Sequence, residues 1–180
     1  MNEYKILFTG TMGAGKTTAI ASISEEAPIV TDVANSDRAV GKALTTVGLD
    51  FGQITLDSGD RLRLFGTPGQ SRFDFMWKIL VKNALGLIIL MDNSRPDPIA
   101  DLDVYLDGFA DDLDEIPCVI GVGRTESHEF PTLDEYAKTV DRRRRVIPIV
   151  QVDVRRSQDV LMLIDMLLAQ IEARNIGEMA

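Results

Sequence analysis

Two hydrophobic rhythms alternate along this chain. Short apolar runs read as buried strands: Ile6-Leu7-Phe8, Leu85 to Met91 (apolar apart from Gly86), Pro117 to Val122, and Val146 to Val152. Between them lie segments of helical period. One runs from Thr18 to Ile23. Another, from Ser71 to Ala84, carries Phe73, Phe75, Met76, Trp77, Ile79 and Leu80. Pro98 to Leu113 has the stripe Leu102, Leu106, Phe109 and Leu113. Thr132 to Val140 puts Leu133, Tyr136, Ala137 and Val140 on one face. Ser157 caps a last helix whose inward residues are Val160, Ile164, Leu167, Leu168 and Ile171. Residues 28 to 45 show no clean period and predict a loop with a short strand at Ile29-Val30. Leu49 to Asp57 and Arg61 to Phe65 alternate instead, joined by Ser58-Gly59-Asp60, and predict a hairpin. Strand and helix otherwise take turns. The expectation is a three-layer α/β fold, with a mostly parallel six-stranded sheet and one antiparallel hairpin strand.

Composition narrows the class. At 180 residues, without internal repeats or a linker, residues 1–180 read as a single domain. Hydrophobic residues make up 45% and charged residues 26%, as in ordinary globular proteins. The net charge of −9 argues against nucleic acid as a partner, because phosphate contacts need a basic footprint. The single cysteine, Cys118, sits in an apolar run and reads as a buried strand residue. The polar start, Met1-Asn2-Glu3-Tyr4, shows no signal peptide. No apolar run reaches the ~20 residues of a membrane span, and neither a myristoylation nor a prenylation signal is present. The expected location is cytoplasmic, with no intrinsic membrane anchor.

The chemistry concentrates in Gly10-Thr11-Met12-Gly13-Ala14-Gly15-Lys16-Thr17, set between the first strand and the first helix. This is the G-x-x-x-x-G-K-[ST] pattern of a P-loop. Glycines let backbone N–H groups close around phosphate oxygens, and the helix N-terminus adds positive potential there. Lys16 would reach the β- and γ-phosphates, and the Thr17 hydroxyl would ligate Mg²⁺. The residues assigned to the nucleotide here are Gly10, Met12, Gly13, Ala14, Gly15, Lys16, Thr17 and Thr18. The fold expected is thus that of a P-loop NTPase. The loop does not specify the base or the reaction. Asp103, Asp107, Asp111 and Asp112 lie off the helical stripe and read as a solvated surface. Arg142 to Arg145 sit at a helix end, where cations suit its dipole. His128 has no partner for catalysis or metal binding in the pattern and reads as exposed.

Beyond the P-loop, the order of motifs resembles the Ras-like small GTPases over nearly the whole length. Thr45-Thr46-Val47-Gly48-Leu49-Asp50-Phe51 resembles the switch I segment, which implies that Thr46 closes over Mg²⁺ and the γ-phosphate. Phe65-Gly66-Thr67-Pro68-Gly69-Gln70 resembles the switch II signature D-x-x-G-Q. That implies a Gly69 N–H on the γ-phosphate and Gln70 orienting the attacking water. The Pro-Gly-Gln form is similar to the bacterial branch, the gliding-motility type and the GTPases of actinobacterial conserved operons. The resemblance implies GTP and GDP as ligands with Mg²⁺, Gln70 and Lys16 as catalytic residues, and Thr17 and Thr46 as the only protein ligands of the metal. It also implies regulatory and effector proteins as partners, a roadblock-type regulator among them.

Two departures stand in the sequence. The switch II aspartate is Gly66, and the base-reading motif N-K-x-D falls on Gly123-Arg124-Thr125-Glu126. Glu126 can still accept from guanine, and Arg124 can lie along base and ribose. The third base-contact loop falls on Asp153-Val154-Arg155. Slow intrinsic hydrolysis is expected, with Arg38 as the candidate arginine in cis.

Two other readings stay open. The P-loop is also similar to that of shikimate kinase, with Asp32 and Asp37 as substrate carboxylates and Arg142 to Arg145 as a lid. Gly66 also suits a nucleotide-binding scaffold that does not hydrolyse. A last expectation concerns Phe73, Phe75, Met76 and Trp77, which cover more than one helix face, so that some should be exposed and form a partner surface.

Overall fold

The computed structural model describes residues 1–26, 29–34, 46–69 and 74–178, with the backbone alone for 29–34, 46–48 and 176–178. The elements in order are β1 (Glu3–Gly10), α1 (Lys16–Ile23), β2 (Ile29–Ala34), β3 (Thr46–Thr55), β4 (Arg61–Gly66), α2 (Asp74–Val81) and β5 (Gly86–Asp92). They continue with α3 (Pro98–Gly108), α4 (Asp112–Glu115), β6 (Cys118–Gly123), α5 (Leu133–Arg142), β7 (Ile149–Gln151) and α6 (Ser157–Glu178).

The strands form one sheet in the order β2-β3-β4-β1-β5-β6-β7. β4, β1, β5, β6 and β7 run parallel, and β3 runs antiparallel to β4. The expected six-stranded sheet is therefore present. β2 pairs antiparallel with β3 and adds a seventh strand at the edge, six residues long where the sequence suggested two.

Alternation within the strands builds the three layers. On β5, Leu87, Ile89 and Met91 face α2, α3 and α5, while Ile88 and Leu90 face α1 and α6. Every residue of β5 is buried, because helices cover both faces. The α1–α6 side packs Ala19 and Ile20 with Val160, Leu163, Ile164 and Leu167. The other side is filled by Trp77, which stacks on Tyr105 at 4.9 Å and on Phe109 at 5.2 Å.

Some boundaries differ from the sequence reading. The helix expected over 98–113 ends at Gly108, where a Cβ would stand 2.7 Å from the Trp77 ring, and α4 resumes the stripe with Leu113. β7 starts after Pro148, which has no N–H to give the ladder, and Val146 is exposed. Ser157 is the first residue of α6 rather than its cap. On α2, Trp77 and Leu80 are buried while Phe75 and Ile79 are 59% and 67% exposed, so the expected exposure of part of this helix is found. Phe73 lies outside the described residues. The acidic surface of α3 is ion-paired rather than only solvated. Arg143 bonds Asp103 and Asp107 there, and on α4 Lys78 bonds Asp112 and Arg145 bonds Asp114. Cys118 is buried, and His128 is exposed beside Ser127.

Candidate functional site

The site grows from the carboxyl end of β1. Gly10 has φ +144, and a Cβ there would stand 2.2 Å from the Leu90 carbonyl oxygen on β5. Only glycine lets the loop leave the sheet there. Gly13 and Gly15 also have positive φ, +85 and +95. A Cβ on Gly15 would stand 2.6 Å from Cγ2 of Val154, so the phosphate loop and the loop before α6 meet at this glycine. Ala14 N–H donates to the Thr11 carbonyl at 3.1 Å, closing the turn.

Lys16 begins α1 and is 7% exposed. Its ammonium donates to the Gly10 carbonyl at 2.6 Å and the Thr11 carbonyl at 2.8 Å. Burial brings its pKa down to about 8, against the opposing pull of the Asp50 charge. Thr17, one residue on, donates its hydroxyl proton to Asp50 Oδ2 at 2.6 Å. Asp50 belongs to β3, directly opposite Gly66 of β4.

The segment after β4 closes beneath the loop. Thr67 N–H donates to the Phe8 carbonyl at 2.8 Å, and its hydroxyl shares a hydrogen bond with that of Thr9 at 2.8 Å. Gly69 then approaches the loop so closely that a Cβ would stand 2.6 Å from the Met12 nitrogen and 3.0 Å from Lys16 Nζ.

At the far side, Arg124 sits just past β6 in a left-handed conformation, φ 62, and pairs with the buried carboxylate of Asp92 at the end of β5. Burial works against the Asp92 charge, but hydrogen bonds from Ser94 and Arg124 outweigh it and hold the carboxyl below its usual range. Asp153 accepts from the Arg155 guanidinium at 2.7 and 2.8 Å, and this pairing draws its pKa down to about 2.

These pieces surround one cleft of about 630 Å³. Met12, Gly13, Ala14, Gly15, Lys16, Thr17 and Thr18 line it, as do Gly69, Arg124, Glu126, Asp153, Val154 and Arg155. Gly10 lies below them at the root of the loop. Thr46 is described only in its backbone, as the first residue of β3. Gln70, Arg38 and Asp37 lie outside the described residues, and of Asp32 only the backbone is described. Arg142 to Arg145 do not line the cleft.

The sequence reading missed Asp50, Thr67 and Asp92 as lining residues. Only Asp50 had a signal, the absence of a carboxylate at Gly66.

No known protein family's profile matches the chain. It is 28% identical over 94 residues to an uncharacterized protein of Methanocaldococcus jannaschii, covering 52% of this chain and 54% of that one. It is 29% identical over 92 residues to ADP-ribosylation factor-like protein 3 of Saccharomyces cerevisiae, covering 51% and 43%. The chain thus spans about half the length of the curated relatives it matches. Among solved structures, a bacterial selenocysteine-specific elongation factor superposes with a TM-score of 0.65 at 19% identity, over 94% of this chain and 29% of that one. These likenesses show a P-loop fold of the small-GTPase type.

Proposed function

We propose that this chain binds GTP and GDP with Mg²⁺ in the cleft and works as a nucleotide-dependent switch that hydrolyses GTP slowly by itself. The observation that carries the reading is the convergence on one cleft of a P-loop, the Gly69 segment, and the loops at Arg124–Glu126 and Asp153–Arg155. The loop backbone from Gly10 to Thr18 would hold the phosphates. Lys16, whose ammonium donates to the Gly10 and Thr11 carbonyls, has a third N–H that would turn to phosphate oxygens. The residues fit a hard cation beside a phosphate. Thr17 offers a hydroxyl oxygen whose proton is already committed to Asp50. Bound Mg²⁺ supplies neutralisation of phosphate charge. Thr46 would be its second protein ligand, and Gln70 would orient the attacking water.

Glu126 would accept from the guanine edge, with Arg124 and the Asp153–Val154–Arg155 loop around base and ribose. Regulatory and effector proteins, a roadblock-type regulator among them, would act on this switch in the cytoplasm, as in the bacterial gliding-motility branch. The scaffold reading differs only in the fate of the γ-phosphate.

Competition binding of GTP, GDP, ATP and ADP tests the base, followed by single-turnover hydrolysis by wild type and Gln70→Leu. Guanine nucleotides should win, and Gln70→Leu should slow phosphate release at least tenfold. Equal adenine binding would remove Glu126 as a guanine reader. A wild-type chain that keeps its GTP intact, with and without cell extract, would favour the scaffold.

A further inference from the structure

Asp50 and Gly66 stand opposite each other on neighbouring antiparallel strands, so their side-chain positions share one face of the sheet. Gly66 has none to place there. A Cβ on it would stand 3.1 Å from Asp50 Cβ and 3.1 Å from Asp50 Oδ2, with Ile20 Cδ1 at 3.3 Å behind. The Asp50 side chain therefore crowds the space that a side chain at residue 66 would need, so that a Cβ there would require Asp50 to give way by a few tenths of an ångström. It uses that space to reach back under α1 and accept the Thr17 hydroxyl proton.

The direction of that bond matters. A hydroxyl that ligates a cation must turn a lone pair to the metal, so its proton has to go elsewhere. Here the proton goes to Asp50 Oδ2 at 2.6 Å, a charge-assisted length. Asp92, another carboxylate lining the cleft, is taken up by Arg124 and Ser94. Lys16 stands next to Thr17 and faces the same negative charge.

We propose that Asp50, from β3, is the carboxylate that positions Thr17 and lends negative charge to a divalent cation in this cleft, and that Gly66 is glycine to make room for it. The proposal rests on the nucleotide-binding reading above. Asp50 acts through Thr17 and is a positioning residue. The carboxylate comes to the site from β3, and β4 yields the space.

The test is Mn²⁺ binding to the full chain loaded with GDP, read from the free-ion signal in electron paramagnetic resonance. The variants are Asp50→Ala, Asp50→Asn and the exchange Asp50→Gly/Gly66→Asp. GDP affinity in EDTA is measured in parallel. The expected result is Mn²⁺ binding weakened about 10- to 100-fold in Asp50→Ala and in Asp50→Asn. GDP affinity in EDTA should fall by no more than about twofold, because the phosphate cradle is intact and the change removes a negative charge beside it. The exchange, which opens room on β3 and restores a carboxylate from β4, should recover at least half of the lost Mn²⁺ binding energy. Unchanged Mn²⁺ binding in Asp50→Ala and Asp50→Asn, with GDP still bound, would overturn the inference and leave the proposed function standing. Failure of the exchange variant, shown by circular dichroism to be folded, would overturn the part assigned to Gly66. A wild-type chain that takes up no guanine nucleotide would overturn the proposed function, and this inference with it.

Discussion

Lys16 sets up a proton linkage that calorimetry can read. Its ammonium is buried, and its pKa is lowered from 10.5 to about 8. A polyphosphate beside the same nitrogen favours the charged form and raises that pKa again. Between the two values, binding must take up a proton. With a free-state pKa of about 8, roughly three-quarters of Lys16 is neutral at about pH 8.5, and roughly a tenth at about pH 7. The chain should therefore take up about 0.7 proton per GDP at about pH 8.5 and about 0.1 at about pH 7. Since protons are taken up, affinity should fall as pH rises, about fourfold between those two conditions. The assay is titration calorimetry of GDP in two buffers of different ionisation enthalpy, where the difference in heat gives the proton count. GDP binding at about pH 8.5 with no proton uptake would refute the reasoning, because Lys16 would then be charged before the phosphates arrive.

The same shift acts on stability. The unfolded chain holds the Lys16 proton up to about 10.5 and the folded chain releases it from about 8, so the folded state gains as pH rises through that window. Urea unfolding without nucleotide should show wild type gaining up to about 3 kcal/mol over Lys16→Met across that range. Gly69→Ala puts a methyl 2.6 Å from the Met12 nitrogen and 2.7 Å from its Cα, so the loop backbone must move. GDP affinity should drop at least about tenfold with the melting temperature nearly unchanged, read by fluorescent-nucleotide displacement and calorimetry. Tyr136 is fully buried and donates its hydroxyl to Asn93 Oδ1 at 2.7 Å. Tyr136→Phe leaves that oxygen without its donor and should cost about 1–2 kcal/mol in denaturant unfolding.

The fold was legible because its strands are buried on both faces and so appear as continuous apolar runs, as in Leu87 to Met91. The loop was legible because three of its positions accept only glycine or nearly so. What stayed hidden depends on register between distant residues. β2 was underestimated because Thr31 and Asp32 interrupt the apolar run after Val30, and the strand is fixed by pairing with β3. The pairing of Arg143 with Asp103 and Asp107 links α5 to α3 across more than 30 residues of chain, so local charge pattern suggested only solvation. Asp50 shows the same limit at the site. Alternation along residues 49–57 tells which face it shares, but only the β3–β4 register sets it against Gly66 and under Thr17.

That register gives β3 a role beyond carrying Thr46. The strand holds Thr46 at its start and Asp50 four residues later. A strand advances roughly 3.3 Å per residue, so the two positions stand about 13 Å apart along one strand, with Thr46 paired to β2 and Asp50 paired to both β2 and β4. The bond from Thr17 to Asp50 ties the first turn of α1 to the same strand. Any slide of β3 against β4 that moves Thr46 must also draw Asp50 away from Gly66 and turn the Thr17 hydroxyl. A slip by one residue would send Asp50 to the opposite face of the sheet, so only sliding by two residues keeps its face. If nucleotide and cation bind as proposed, the γ-phosphate end of the cleft and the cation end would therefore be coupled through one strand. In the switch proposed above, β3 is the element whose position both ends would sense.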